Sequence, residues 1–262
     1  MHLSEKQIQD YQTNGVIVVK EIFKDWIKPL RKGFQKVLEN PSKHGRENVN
    51  DDNGRFFEDY CNWERIEEFK NCIYNSPGAK IFTEATNSRS AQIFHEHIFI
   101  KDPGTHKETP WHQDMPYYCV DGNDTGSFWI PLDKVDQENN LKLILGSHKW
   151  QKLIRPTKWS NNKSWYNDDS SFMDLPSSKE FEKNIFIPEL TLGDAVLFNF
   201  KIVHGSTGNN TLKSRRAFSM RFIGDDVKYI DRGGPTSPPF DGINLKTGDL
   251  MRDDWFPRVF SN

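Results

Sequence analysis

Cysteine is scarce: the 262 residues hold three, Cys61, Cys72 and Cys119. An odd, scattered set without metal-like pairing excludes a disulfide framework, and it leads to the expectation of a reducing, cytoplasmic setting. No charge of one sign dominates, with 35 Lys and Arg against 37 Asp and Glu for a formal charge of −2. Without a basic stripe, nucleic acid is not an expected partner, and a small molecule is. Long apolar runs are missing too, and none approaches the roughly 20 residues that span a bilayer. The start "MHLSEKQIQDYQ" lacks the basic-then-apolar order of a signal peptide. A soluble protein that makes no membrane contact is therefore expected, and oligomeric state is not legible. Internal repeats and low-complexity segments are also absent.

What is present reads as one domain over 1–262. Ser4 followed by Gln7 predicts a capping box and a short helix, after which Gly15 breaks to the strand "VIVVK". An amphipathic helix is expected from Pro29 to Glu39, and the polar, turn-rich stretch from Asn40 to Asn62 reads as a surface loop. "WERIEEFKNCIYN" and "AKIFTEAT" predict two more helices. From Ala91 the apolar period becomes two, with "AQIFHEHIFIK", "SFWIPLDKV", "LKLILG", "GDAVLFNF" and "RRAFSMRFIG" as short strands. An N-terminal helical layer (about 1–88), a β core (about 89–225) and a C-terminal packing segment (about 226–262) follow. The fold class is mainly β with flanking helices, a sandwich or barrel. Phe240, Trp255, Phe256 and Phe260 in the final segment predict that it packs back on the domain.

Within "TPWHQDMPYYCVDG", His112 and Asp114 stand two apart. Strand alternation would aim the imidazole and the carboxylate at one point. Such a pair needs a third ligand to hold a metal, and His204, at the end of the strand in "GDAVLFNFKIVHGSTGN", is the best placed. Two histidines and one carboxylate form a facial triad that leaves positions open on a six-coordinate iron(II). His95, His97, His106 and His148 remain competing ligands at this level, and a His2-Asp set also suits zinc. Arg215 begins the next strand with the small residues Ala217 and Ser219 on its face, and Arg216, Phe218 and Met220 on the other. Its planar fork matches a carboxylate, as a dicarboxylic keto acid would offer at its far end. Ser206, on the face of His204 if that strand continues, is placed to add a hydroxyl.

The segments "HEHIFIKDPGTHKETPWHQDMPYY", "FWIPLDKVDQENNLKLILGSHKW" and "HGSTGNNTLKSRRAFSMRF" resemble the phytanoyl-CoA dioxygenase family of iron(II)/2-oxoglutarate oxygenases. The likeness runs from about Ala91 to Phe222, and the N-terminus is similar as well. It implies a double-stranded β-helix (jelly roll, cupin-like). It also implies iron(II) held by His112, Asp114 and His204, with 2-oxoglutarate and O2 as cosubstrates. The family's cosubstrate arginine falls on Arg215, the hydroxyl after the distal His-Gly on Ser206, the Gln inside the HxD on Gln113 and the strand Trp on Trp129. His97 matches a position beside the cosubstrate and is expected to line its pocket without binding metal. The turn in "ENNLKLILGSHKW" departs from the family's usual Asn-Gly-Cys, away from the ligands.

The activity implied is hydroxylation of a small molecule with release of succinate and CO2. Halogenating relatives replace the carboxylate ligand, which Asp114 retains, and desaturation or ring closure stays open. A non-oxidative metal hydrolase or isomerase would not need Arg215, and a silent ligand-binding protein would need neither Arg215 nor the triad. The primary substrate is not legible.

Overall fold

Ser4 opens the first helix as expected: its Oγ accepts from the Gln7 amide at 3.3 Å, and the Gln7 side chain accepts from the Ser4 amide at 3.0 Å. The computed structural model describes residues 1–48, 54–159, 163–167 and 170–261. Helix α1 (Glu5–Asn14) stops at Gly15, whose φ of 72° is the left-handed conformation that favours glycine. Its single buried residue, Tyr11, donates its hydroxyl to the Thr125 carbonyl at 2.5 Å and so pins the helix to the sheet. Strand β1 (Val16–Val19) follows, then α2 (Ile27–Glu39). That helix starts two residues before the expected Pro29, which its first turn tolerates because those amides have no intrahelical partner.

The stretch from Asn40 to Asn62 is corrected. It holds β2 (Arg46–Glu47) and β3 (Phe56–Tyr60), and β3 joins the large sheet. Residues 49–53 of the expected loop lie outside the described residues. The polar look misleads because Glu58 and Asp59 are buried with partners: Glu58 with Arg46, and Asp59 with the amide and hydroxyl of Ser42.

Helices α3 (Glu67–Asn75) and α4 (Gly78–Thr86) complete the helical layer. The chain continues through β4 (Ser90–Lys101), β5 (Thr109–His112), β6 (Val120–Asp121), β7 (Thr125–Pro131) and β8 (Leu141–Ile144). After α5 (Ser178–Phe181) come β9 (Ile185–Phe186), β10 (Ala195–Phe198), β11 (His204–Ser206), β12 (Arg215–Ile223), β13 (Lys228–Tyr229) and β14 (Arg258–Ser261). Among the described residues the large antiparallel sheet runs β1-β10-β7-β12-β4-β3-β2, with β14 on β4, and a smaller sheet runs β5-β11-β8-β9. This is the mainly β, jelly-roll architecture expected, with neither sheet closed on itself.

Strand alternation gives the large sheet two different faces. Phe218, Met220 and Phe222 of β12 join Ile98 and Ile100 of β4 in the main core against the helices, and the Phe69 and Phe218 rings stand 4.7 Å apart. The intervening residues of β12, Arg215, Ala217, Ser219 and Arg221, line a cavity on the side of the smaller sheet. Alternation along β4 is broken once. Arg221 pairs with His95 but Phe222 with Ile93, so Phe94 is an extra residue. Ile93 therefore joins the helix-side core, and Phe94 packs with Phe240 and Phe256 of the C-terminal segment. The tail packs back as expected, and no helix among the described residues is long and apolar enough to cross a membrane.

Phe218 is fully buried in this core. Phe218→Ala is expected to lower unfolding free energy by about 3–5 kcal/mol, and Ser4→Ala by about 1 kcal/mol through loss of the cap. Urea midpoints of the two variants check that order.

Candidate active site

Two short strands of the smaller sheet bring the candidate ligands together. His204 of β11 pairs directly with His112 of β5, and the two rings are 4.2 Å apart. Each ring is oriented by its own backbone: His112 Nδ1 lies 2.8 Å from the Pro110 carbonyl and His204 Nδ1 3.0 Å from that of Ile202. With Nδ1–H donated to a carbonyl, the lone pair of each Nε2 is directed at the shared space. Burial, and then His112 beside it, push His204 down to about 3, so that imidazole is neutral and ready to ligate.

Asp114 reaches the same point by a different route from the one its spacing suggests. It lies beyond β5, at the start of a 3-10 turn over Met115–Tyr117 with φ −71° and ψ −43°, so a turn, not strand alternation, aims it. Its Oδ1 is 3.6 Å from His112 Nε2 and 3.8 Å from His204 Nε2. Ligands about 2.1 Å from one metal sit about 3 Å apart when adjacent, so a small closure completes the set. Oδ2 is held away from the metal position, accepting from Arg221 Nε at 3.2 Å and Ser127 Oγ at 3.3 Å. Burial pushes the carboxyl up, but Arg221 and the imidazoles outweigh it and hold Asp114 well below the usual carboxylate range.

Among the described residues this is the one group of at least three His, Cys, Asp or Glu side chains arranged to hold an ion. His95 and His97 line the same cavity outside that group, and His148 is not in its lining. The residues fit iron(II): two imidazole nitrogens and one carboxylate oxygen, with open space on the remaining side.

The cavity encloses about 620 Å³ between the two sheets. At one end stands Arg215, buried, its NH2 3.3 Å from Ser206 Oγ and its NH1 bonded to the Asn139 carbonyl. β11 does continue through Ser206, as the reading of that hydroxyl requires. Arg216 points to the other side and pairs with Asp133 at 2.7 and 2.8 Å. Trp129 and His97 line the cavity, His97 with Nε2 3.4 Å from Glu58 Oε2. Tyr117, Tyr118, Trp159 and Trp165 cover the metal end, the Trp159 ring 5.0 Å from that of His112. The opposite end, where Arg215 and Ser206 converge, fits the distal carboxylate of 2-oxoglutarate.

Gln113 is a correction. Its side chain leaves the cavity, donating to the Lys201 carbonyl at 2.6 Å and accepting from the Ile154 amide at 2.7 Å. Flanked by two inward-pointing neighbours, it faces the opposite way and ties two loops together behind the ligands. Trp111 packs on Phe181 outside the cavity lining and Phe128 is buried in the helix-side core, whereas Tyr117 and Tyr118 are in the lining.

Two residues that line the site went unread in the sequence. Arg221 shares the face of Arg215 six positions on, and Lys101 shares that of His97, so alternation held the signal. What each touches depends on tertiary structure.

Removing Arg221 leaves the Asp114 carboxylate buried without its counter-charge. Arg221→Met is expected to destabilise the metal-free protein by about 3–5 kcal/mol. Nickel(II) should restore more stability to the variant than to the wild type, because the ion replaces the missing charge. Calorimetric melting with and without nickel checks this; an equal metal-induced rise in both proteins would remove Arg221 from the electrostatics of the site. His204→Ala should cost at least about a hundredfold in metal affinity, with His95→Ala within about threefold, by titration calorimetry.

Comparison with known proteins agrees with this geometry. The family model described as "Phytanoyl-CoA dioxygenase (PhyH)" matches residues 11–217. The chain is 26% identical over 259 residues to the peroxisomal phytanoyl-CoA dioxygenase of Rattus norvegicus, covering 88% of this chain and 72% of that protein. Among solved structures it is similar to the non-heme alpha ketoglutarate dependent carbocyclase SnoK from nogalamycin biosynthesis, with TM-score 0.75 and 17% identity over 98% of this chain and 97% of that one. EctD from S. alaskensis with 2-oxoglutarate and 5-hydroxyectoine gives TM-score 0.70 and 17% identity, covering 95% and 86%. The reaction class that follows is that of a 2-oxoglutarate-dependent oxygenase. With the matched region enclosing all three candidate ligands and Arg215, this chain belongs to the phytanoyl-CoA dioxygenase family.

Proposed function

We propose that the protein hydroxylates a small molecule, using iron(II), 2-oxoglutarate and dioxygen and releasing succinate and CO2. The observation that carries this reading is the burial of Arg215 and the His112–Asp114–His204 group in one cavity. A metal hydrolase has no use for a buried guanidinium beside a hydroxyl in the cavity that holds its metal ligands. Bound iron(II) and 2-oxoglutarate supply the oxidising chemistry when present.

The chain's own residues bind, orient and exclude. His112 and His204 offer Nε2, and Asp114 offers Oδ1 while Arg221 and Ser127 hold its other oxygen. Arg215 and Ser206 take the distal carboxylate, and His97 and Trp129 line the space beside it. Tyr117, Trp159 and Trp165 shield the metal end from water and present apolar faces to a substrate. Retention of the carboxylate ligand supports hydroxylation over halogenation. The likeness to a carbocyclase makes ring closure the second reading, and product analysis separates the two. The three free cysteines, two of them buried, support a cytoplasmic location.

Arg215→Leu is expected to weaken 2-oxoglutarate binding by about ten- to a hundredfold with metal retained, since a charge-assisted partner is lost. Arg216→Leu, which breaks only the pair with Asp133, should change it by less than about twofold. Anaerobic titration of the iron(II) protein, followed by the charge-transfer absorption of an iron–keto acid chelate, measures both. Equal losses would mean that Arg215 does not anchor the cosubstrate. A substrate screen scored by succinate release under iron and 2-oxoglutarate, with product mass read for one added oxygen, tests the reaction itself.

A further inference from the structure

Lys101 and Arg215 are directly opposed across β4 and β12, both pointing into the cavity. Lys101 is 2% exposed and Arg215 9%. Like charges directly opposite one another destabilise a strand pair, and burial raises that cost. Among the described residues neither cation has a carboxylate within ion-pair distance, and Glu108 and Glu58 act on Lys101 only from further away. Burial, and then the facing guanidinium, hold the Lys101 ammonium well below its ordinary range, while burial brings Arg215 down to about 10. A fold that keeps two such cations together is arranged around an anion that arrives from outside.

The hydrogen bonds identify where that anion goes. Lys101 Nζ donates to Ser206 Oγ at 3.2 Å and to the Thr207 carbonyl at 2.9 Å, and it stands 4.6 Å from the Phe56 ring centroid. Arg215 NH2 donates to the same Ser206 Oγ at 3.3 Å. A hydroxyl has two lone pairs and one proton, so with both lone pairs engaged by cations the proton is left to donate. An ammonium has three donors, two of which are engaged here, and the third is free.

We propose that Lys101 is a second cation of the cosubstrate site, so that Lys101, Arg215 and the Ser206 hydroxyl between them form a two-charge subsite for the distal carboxylate of 2-oxoglutarate. This rests on the 2-oxoglutarate reading above and adds to it a residue from β4 that acts by charge. The subsite discriminates between keto acids: those with a distal carboxylate meet two cations, and those without one leave both cations unpaired.

Nickel-loaded full-length protein titrated calorimetrically with 2-oxoglutarate and with 2-oxopentanoate tests this. The second ligand has the same chelating head and no distal carboxylate. Lys101→Met is expected to weaken 2-oxoglutarate about ten- to a hundredfold while leaving 2-oxopentanoate within about twofold. Lys101→Gln keeps a donor for Ser206 without the charge and should lose as much, which covers the case of a Met variant that fails to fold. Unchanged 2-oxoglutarate affinity in the Gln variant, or equal losses for both ligands, would overturn the proposal. A wild-type protein that binds no 2-oxoglutarate would instead overturn the cosubstrate reading on which it rests.

Discussion

The buried pair between Asp114 and Arg221 is the constraint on which the site depends. A lone carboxylate between two imidazoles, shielded from water, would take up a proton or turn away. Arg221, reaching from the centre of the large sheet, keeps Asp114 ionised and fixes one of its oxygens. The other oxygen is left facing the two Nε2 atoms. The pair also crosses the space between the sheets, tying the turn after β5 to β12. Because it is both an electrostatic and a positional device, ligand charge and ligand geometry are set by one contact.

The large sheet carries this arrangement because its two faces do different work. On one side the apolar residues of β4 and β12 fasten the strands to the helical layer, which makes them stiff. On the other side the same strands present Lys101, His97, Arg215 and Arg221 at fixed positions across a cavity. Buried cations in a soft region would rearrange to reach water; in a sheet backed by a packed core they stay where the backbone puts them. The smaller sheet holds the two histidine rings through backbone carbonyls, so their orientation at the metal end is set by hydrogen bonds.

The fold class, the layer order and the helices were legible because each rests on a short-range signal, whereas the ligand set among competing histidines was legible only through the family resemblance. The short-range signals include a capping box at Ser4, a period of two from Ala91, and small residues flanking Arg215. β3 was not legible, since Glu58 and Asp59 read as solvent-facing until Arg46 and Ser42 are known to meet them. The bulge at Phe94 was missed for a similar reason: one extra residue leaves composition unchanged yet reverses every side chain before it. Gln113 resembles a family position, but its side chain is claimed by Lys201 and Ile154, residues far away in sequence.

By itself the sequence determined which residue types the chemistry has at hand and, through alternation, that Arg215, Ala217, Ser219 and Arg221 share one face. It also determined the family, because spacing along the chain survives when contacts are unknown. Tertiary structure alone decided that His112 and His204 meet as strand partners, that Asp114 enters from a turn, and that Lys101 faces Arg215 with no anion beside it. Those facts depend on which strand neighbours which. Pairing between strands so far apart in the chain is set by the burial of whole faces, to which no local stretch of sequence refers.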